Sequence, residues 1–197
     1  MNLSEALAHL KDLPTEKQLD RTQAYQGRII TVCDDRVLLS NGTVAKREVV
    51  YHPGAAAVLA LTESGELVLE RQYRYPVDRY LLELPAGKVE PGETPLVAAK
   101  RELEEETGFV ADSWRLLTSF ATSPGISSES ISLFLATPAH LGRAHPEEDE
   151  QIDVILVQPQ EVTPELLERD IFDAKTLVGL LWFQRMRSDP AAFFQPK

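Results

Sequence analysis

Gly87-Lys88-Val89-Glu90-Pro91-Gly92-Glu93-Thr94-Pro95-Leu96-Val97-Ala98-Ala99-Lys100-Arg101-Glu102-Leu103-Glu104-Glu105-Glu106-Thr107-Gly108-Phe109 is the stretch on which the reading of this chain turns. A Gly-rich turn runs into a segment that predicts a helix over about 94–107, with Gly108 placed to take a left-handed conformation at its C-terminal end. Positions three and four apart share a helix face, so Glu102, Glu105 and Glu106 project together, about 5–6 Å apart at Cβ. Glu104 faces away. Like charges that close raise one another's pKa, an arrangement that gains from a neutralising cation. Hard divalent ions such as Mg²⁺ prefer carboxylate oxygens and keep places for water and substrate phosphates.

The spacing resembles the Nudix box, the signature of a family that hydrolyses nucleoside diphosphates linked to a further group. Gly87, Glu93, Arg101, Glu102, Glu105, Glu106 and Gly108 all stand at its fixed positions, and Leu103 fills its aliphatic slot. At ordinary residue frequencies a chance match at a given start is on the order of 10⁻⁸. Phe109 is bulkier than the usual aliphatic residue, a departure at a packing position only. The resemblance implies that Glu102, Glu105 and Glu106 bind Mg²⁺ or Mn²⁺, with the Ala86 carbonyl as a further oxygen ligand. It also implies a catalytic role for Glu105. Glu93 and Arg101 read as a structural pair that pins the loop, and Gly87 as a position needing close backbone approach or unusual φ. Bound metal would bridge the pyrophosphate oxygens and acidify a water, whose proton a nearby carboxylate could take.

Outward from the motif, residues 3–13 read as a short amphipathic helix with Leu3, Leu7 and Leu10 on one stripe, closed by Pro14. Strands are expected over 22–32, 34–40 and 43–51, with turns at Asp34-Asp35 and Asn41-Gly42, the latter a strong hairpin signal. His52-Pro53-Gly54 punctuates a boundary. Further strands are expected at 55–61, 67–75, 80–84, 114–123, 130–137 and 152–157, and helices at 164–169 and 174–187, the last opened by Asp173 as N-cap. Strands and helices mix without βαβ alternation, which argues for a mixed sheet flanked by helices. The expected class is α+β. The resemblance implies an α/β/α sandwich of the Nudix type over 54–197, preceded by an N-terminal helix and strand subdomain, 1–53. Strands preceding a complete core need covering, and the resemblance implies a homodimer that exchanges them.

The 197 residues suit one globular domain with an appended subdomain, and a net charge of −11 argues against a nucleic-acid partner. A phosphate substrate would instead need local metal and arginines. The single Cys33 excludes an intrachain disulfide framework and fits a reducing, cytoplasmic setting. The opening MNLSEALAHLKDLP is helical and mixed in charge, so no signal peptide is expected, and no apolar run approaches a membrane span.

Three features narrow the substrate. Ser123-Pro124-Gly125-Ile126-Ser127-Ser128-Glu129 resembles the ADP-ribose pyrophosphatase branch of the family, in which a Pro at this offset shapes the substrate loop. Arg71–Tyr75, Leu82–Gly87 and Lys46–Gly54 resemble the same branch. Arg47 and Arg74 are the expected phosphate and nucleotide contacts, beside Pro124, Gly125 and Glu129; surface ion pairing is the plainer reading of both arginines. In Glu147-Glu148-Asp149-Glu150 the branch implies a general base on a loop, Glu150 first and Glu148 second. The implied reaction is metal-dependent hydrolysis of ADP-ribose to AMP and ribose 5-phosphate. The alternatives are another nucleoside diphosphate sugar, such as GDP-mannose, and a nucleotide-binding regulator without activity.

Overall fold

Contacts divide the chain into two units, each with its own hydrogen-bonding pattern. The computed structural model describes residues 2–142 and 151–190. One unit holds the residues up to His52 together with Ser123–Ser128; the other holds Pro53–Thr122 and the residues from Glu129 onward.

The first unit opens with α1 (Leu3–His9). Asn2 closes a reciprocal cap: its side chain accepts from Glu5 N, and the Glu5 carboxylate accepts from Asn2 N, both at 2.9 Å. The helix is shorter than the expected 3–13, because Leu10–Asp12 tightens into a 3₁₀ turn. Leu3, Leu7 and Leu10 form their stripe but stay exposed.

Three antiparallel strands follow: β1 (Lys17–Gln26), β2 (Thr31–Leu38) and β3 (Val44–Tyr51). The expected turn at Asp34-Asp35 is not there; both residues lie inside β2, and the chain reverses at 27–30, where Gly27 N donates to Ile30 O at 2.9 Å. Aspartate marks turns because its side chain bonds nearby backbone, but Asp35 bonds across strands instead. Its buried carboxylate accepts from Arg21 Nε and Nη2, both at 2.8 Å, and from the Tyr51 hydroxyl at 2.6 Å. The hydrogen bond from Arg21 holds it below the usual carboxylate range. Asn41-Gly42 does make its turn, with Gly42 at φ 84° and Asn41 Oδ1 accepting from Thr43 N at 3.0 Å. Ser123–Ser128 attach to the end of β3: Val50 N donates to Ile126 O at 2.8 Å, and Ser128 N to Val50 O at 3.0 Å.

The second unit is organised by β4 (Ala55–Thr62). Ala56, Val58 and Ala60 face one layer, Ala57 and Leu59 the other, as a period of two requires. Its companions are β5 (Leu67–Arg74), β6 (Arg79–Glu83), β7 (Ala86–Lys88), β8 (Phe109–Ala121), β9 (Ser130–Leu141) and β10 (Ile152–Val157). The sheet runs β10-β5-β4-β9-β8, with β6 on β5 and β7 on β4. β4 and β9 are parallel and the other pairs antiparallel, so the sheet is mixed as expected. β8 and β9 outrun the strands foreseen at 114–123 and 130–137, since they pair from Phe109↔Leu141 to Ala121↔Ser130. α2 (Pro95–Thr107) buries Ala98, Ala99 and Leu103 against Val58, Val68, Phe109 and Phe134. On the opposite face α3 (Pro164–Arg169) and α4 (Ala174–Ser188) bury Leu167, Leu180, Phe183 and Met186 against Leu59, Leu69, Leu84 and Leu133. The result is the helix–sheet–helix sandwich. Phe109 is buried in the α2 layer, so its extra bulk is core packing.

Candidate active site

The motif helix is fixed at both ends by its own sequence. Thr94 caps it, accepting from Val97 N at 3.3 Å, and Pro95 occupies the first turn, where no N–H is needed. Gly108 ends it at φ 73°, its N–H donating to Glu104 O at 2.9 Å. With Leu103 turned into the core, the acids at 102, 105 and 106 fall toward β7.

β7 is an extended segment held on β4, with Ala56 opposite Gly87 and Ala57 opposite Ala86. Val58 N donates to Pro85 O at 2.9 Å, and Val89 N to Gly54 O at 3.0 Å. Gly87 has no positive φ; of the two reasons foreseen for it, close approach applies. A Cβ built there would fall on the Glu102 carboxylate. One residue earlier, Ala86 N donates to Glu106 Oε2 at 2.9 Å. Two of the three acids thus meet the Ala86–Gly87 backbone directly.

Arg101 ties the rest together. It donates to Glu93 through Nε (2.9 Å) and Nη2 (3.0 Å), to Glu102 Oε1 (2.7 Å) and Glu105 Oε2 (2.9 Å) through Nη1, and to Lys88 O (3.1 Å). Glu93 also accepts from Glu90 N at 3.0 Å. The Arg101 bonds hold the Glu93 carboxyl below the usual range, and Glu93, Glu105 and Glu102 together raise the guanidinium. Part of the repulsion among the acids is therefore met by the protein's own cation. Among the described residues no three His, Cys, Asp or Glu side chains converge as they stand on one ion-sized point. Glu102 and Glu105 would exchange Arg101 for a metal in order to do so.

The donor set suits a hard divalent ion: carboxylates at 102, 105 and 106 and a backbone carbonyl at 86, with a glycine leaving the room that Glu102 takes. A second observation points the same way. Glu70, on β5, is 0% exposed, and neither of its oxygens meets an N–H or O–H donor. Burial pushes its pKa up to about 7, and the Glu106 carboxyl lies within hydrogen-bonding reach of it. Two carboxyl groups share a hydrogen bond only when one keeps its proton. A carboxyl that burial keeps protonated beside Glu106 marks a pocket crowded with acids, where a cation could take the proton's place.

Beside Glu70 in the β5–β6 register stands Glu83, 1% exposed. Arg74 grips it through Nε (2.8 Å) and Nη2 (2.9 Å), and Lys175 from α4 completes an ion pair with it. Burial works against the charge on Glu83, but Arg74 and Lys175 outweigh it and hold the carboxyl below its ordinary range. A second charge directly opposite Glu83 would be unfavourable, and Glu83 accordingly helps to raise the Glu70 pKa while Lys175 and Arg74 act the other way.

The structure brings Ala86, Gly87, Glu93, Arg101, Glu102, Glu105 and Glu106 into one cluster, with Gly108 as the cap of its helix. Arg74 stands in the adjoining ion cluster, its fork engaged with Glu83. Arg47 lies on β3 in the first unit, where Glu16 takes its fork at 3.0 and 2.6 Å. Pro124 and Gly125 belong to that unit also. Glu129 lies in the second and accepts from Thr122 Oγ1 at 2.6 Å. Glu148 and Glu150 lie outside the described residues. Sequence reasoning missed Glu70, Glu83, Lys175 and Thr176. A signal existed for the two acids: each interrupts an apolar strand, Leu67-Val68-Leu69-Glu70 and Leu81-Leu82-Glu83-Leu84.

Residues 50–178 match the NUDIX domain, and residues 16–50 match the nucleoside diphosphate sugar hydrolase N-terminal domain. The chain belongs to the Nudix family. Among its relatives, the ADP-ribose pyrophosphatase of Bacillus subtilis is 39% identical over 171 residues, 86% of this chain and 92% of that one. The methanol dehydrogenase activator of Bacillus methanolicus is 42% identical over the same shares. The ADP-ribose pyrophosphatase of Mycobacterium tuberculosis is 41% identical over 128 residues, 63% of this chain and 62% of that one. A crystal structure of an ADP compounds hydrolase superposes with a TM-score of 0.79, covering 91% of this chain and 97% of that one; at 22% identity this is a likeness of fold.

Proposed function

We propose that the chain is a metal-dependent ADP-ribose pyrophosphatase that splits ADP-ribose into AMP and ribose 5-phosphate. The observation that carries the reading is the meeting of Glu102 and Glu106 with the Ala86–Gly87 backbone, with Glu105 on the same helix face. The pyrophosphatase relative at 39% identity, matched over nearly its whole length, supports the choice of substrate. Glu102, Glu105, Glu106 and the Ala86 carbonyl would hold Mg²⁺ or Mn²⁺, which supplies charge neutralisation of the diphosphate and an acidified water.

The remaining roles fall to the chain's own groups. Arg101 and Glu93 fix the loop-to-helix junction. Arg47 and Arg74 present guanidinium groups to the nucleotide and phosphates, with Glu16 and Glu83 as their resting partners. Pro124, Gly125 and Glu129 shape the substrate loop. Glu150, with Glu148 as alternative, takes the proton of the attacking water.

Residues 1–53 serve dimerisation and 54–197 catalysis. Within the first unit, β1 is exposed at all ten positions, including Leu19 and Tyr25. A bare edge strand needs a cover, and a second copy of the chain supplies it. Sedimentation at micromolar concentration would return a dimer mass; a monomer would overturn this part. Cys33, a buried free thiol, is compatible with the cytoplasm. No helix among the described residues is long and apolar enough to cross a membrane.

The test is hydrolysis of ADP-ribose, GDP-mannose, NADH and diadenosine polyphosphates with Mg²⁺, scored by released phosphomonoester. Preference for ADP-ribose is expected. Preference for GDP-mannose would move the specificity within the family. Nucleotide binding without turnover would favour a regulator, the second reading that the activator among the relatives keeps open.

A further inference from the structure

Helix α4 begins where the backbone leading to the acid cluster passes beside it. Asp173 caps the helix, its Oδ2 accepting from Thr176 N at 2.9 Å and from Thr176 Oγ1 at 2.6 Å. With its hydrogen committed to Asp173, the Thr176 hydroxyl accepts from Leu84 N at 2.8 Å, in a site 0% exposed for both residues. Its neighbour Lys175 pairs with Glu83 and, at 3.1 Å, with Asp173. One turn on, Gly179 lets the helix close on Leu84, whose side chain would collide with any Cβ there. The first turn and a half of α4 thus grips two consecutive residues, Glu83 and Leu84.

Those residues lead without slack into the site. Pro85 O is held by Val58 N, and Ala86 N donates to Glu106. An extended chain advances about 3.3–3.6 Å per residue, so a shift at Leu84 reaches Ala86 one pleat away. A buried N–H that loses its acceptor also has to find another. A plain cap would need only the Asp173 bonds. The bond from Leu84 N and the pair to Glu83 reach beyond the helix.

We propose that Thr176, assisted by Lys175, is a positioning residue for the metal site: α4 sets the depth of the Leu84–Ala86 backbone, and with it the placement of the Ala86 carbonyl and the Glu106 carboxylate. The inference rests on the reading of Glu102, Glu105 and Glu106 as metal ligands.

Mn²⁺ binding to the full-length protein without substrate, followed by electron paramagnetic resonance titration, tests it together with kcat, KM and urea unfolding. Thr176→Val keeps the shape and removes both hydroxyl bonds, while Thr176→Ser keeps them. Thr176→Val is expected to raise the Mn²⁺ Kd by roughly 10-fold and to lower kcat more than it raises KM. Thr176→Ser is expected to stay within about twofold of wild type, well inside the roughly 10-fold shift. A Thr176→Val protein that is less stable yet binds Mn²⁺ like wild type would overturn the proposal, leaving Thr176 a helix cap. If that variant does not fold, Lys175→Met is read by the same comparison, and an unchanged Kd overturns it likewise. Wild type that takes up no Mn²⁺ would remove the metal reading and this inference with it, a failure visible without any variant.

Discussion

The Glu102 carboxylate lies where a side chain at position 87 would begin, so the backbone of Gly87 and the motif helix fit together only because residue 87 has none. The clash that a methyl group would create is with the end of a flexible side chain. Gly87→Ala should therefore displace Glu102 and leave the sheet intact. The expected outcome is a loss of about 100-fold in kcat/KM, on the order of 3 kcal/mol of transition-state stabilisation, with far-ultraviolet circular dichroism unchanged. Activity within threefold of wild type would mean that Glu102 has room to move and still do its work.

Arg101 touches Glu93, Glu102, Glu105 and the Lys88 carbonyl through a planar fork that lysine cannot reproduce. Arg101→Lys keeps the charge but not this set of bonds. A stability loss of roughly 2–3 kcal/mol is expected, measured by urea unfolding with a chelator present. Activity should fall as well, because the carboxylates it orients lose their common partner. A stability change below about 0.5 kcal/mol, the size expected of an ordinary surface substitution, would reduce Arg101 to a surface charge.

Glu106 is both the most buried of the three motif acids and the one bonded to Ala86 N. Glu106→Gln conserves volume and still offers an oxygen to that N–H. The fold should persist while kcat falls by at least roughly 100-fold, beyond what loss of an outer-shell partner of a metal costs. Mn²⁺ affinity should weaken in the same variant. Full activity would remove Glu106 from the metal assignment.

Much of this was legible locally. Thr94, Gly108 and the spacing of the acids define α2 within one stretch of chain, and Asn41-Gly42 defines its turn with its own side chain. What could not be read depends on partners far apart in sequence. Asp34-Asp35 has turn composition, yet Asp35 is claimed by Arg21 and Tyr51 on neighbouring strands. Glu83 finds one cation at Arg74, 9 residues back, and the other at Lys175, 92 residues on, and Thr176 finds Leu84 over the same separation. The attachment of Ser123–Ser128 to β3 is likewise a tertiary choice between two short segments of ordinary loop composition.

Glu70 gives the pH dependence. Desolvation raises its pKa from an ordinary value near 4.5 to about 7. The folded protein therefore holds this proton more tightly than the unfolded chain does. Its contribution to stability is complete below about pH 4.5 and is lost as the pH rises through about 7. Other groups titrate as well, so the informative quantity is the difference between wild type and Glu70→Gln, whose amide cannot ionise. In metal-free protein with a chelator, the stability of wild type relative to Glu70→Gln should fall between about pH 5 and pH 8, by on the order of 2 kcal/mol. The sign is opposite to that of a salt-bridged carboxylate such as Glu83, whose lowered pKa makes its contribution present at neutral pH and lost on acidification. A difference that stays flat from pH 5 to pH 8 would mean that Glu70 carries its charge inside the fold, and desolvation would no longer account for its titration.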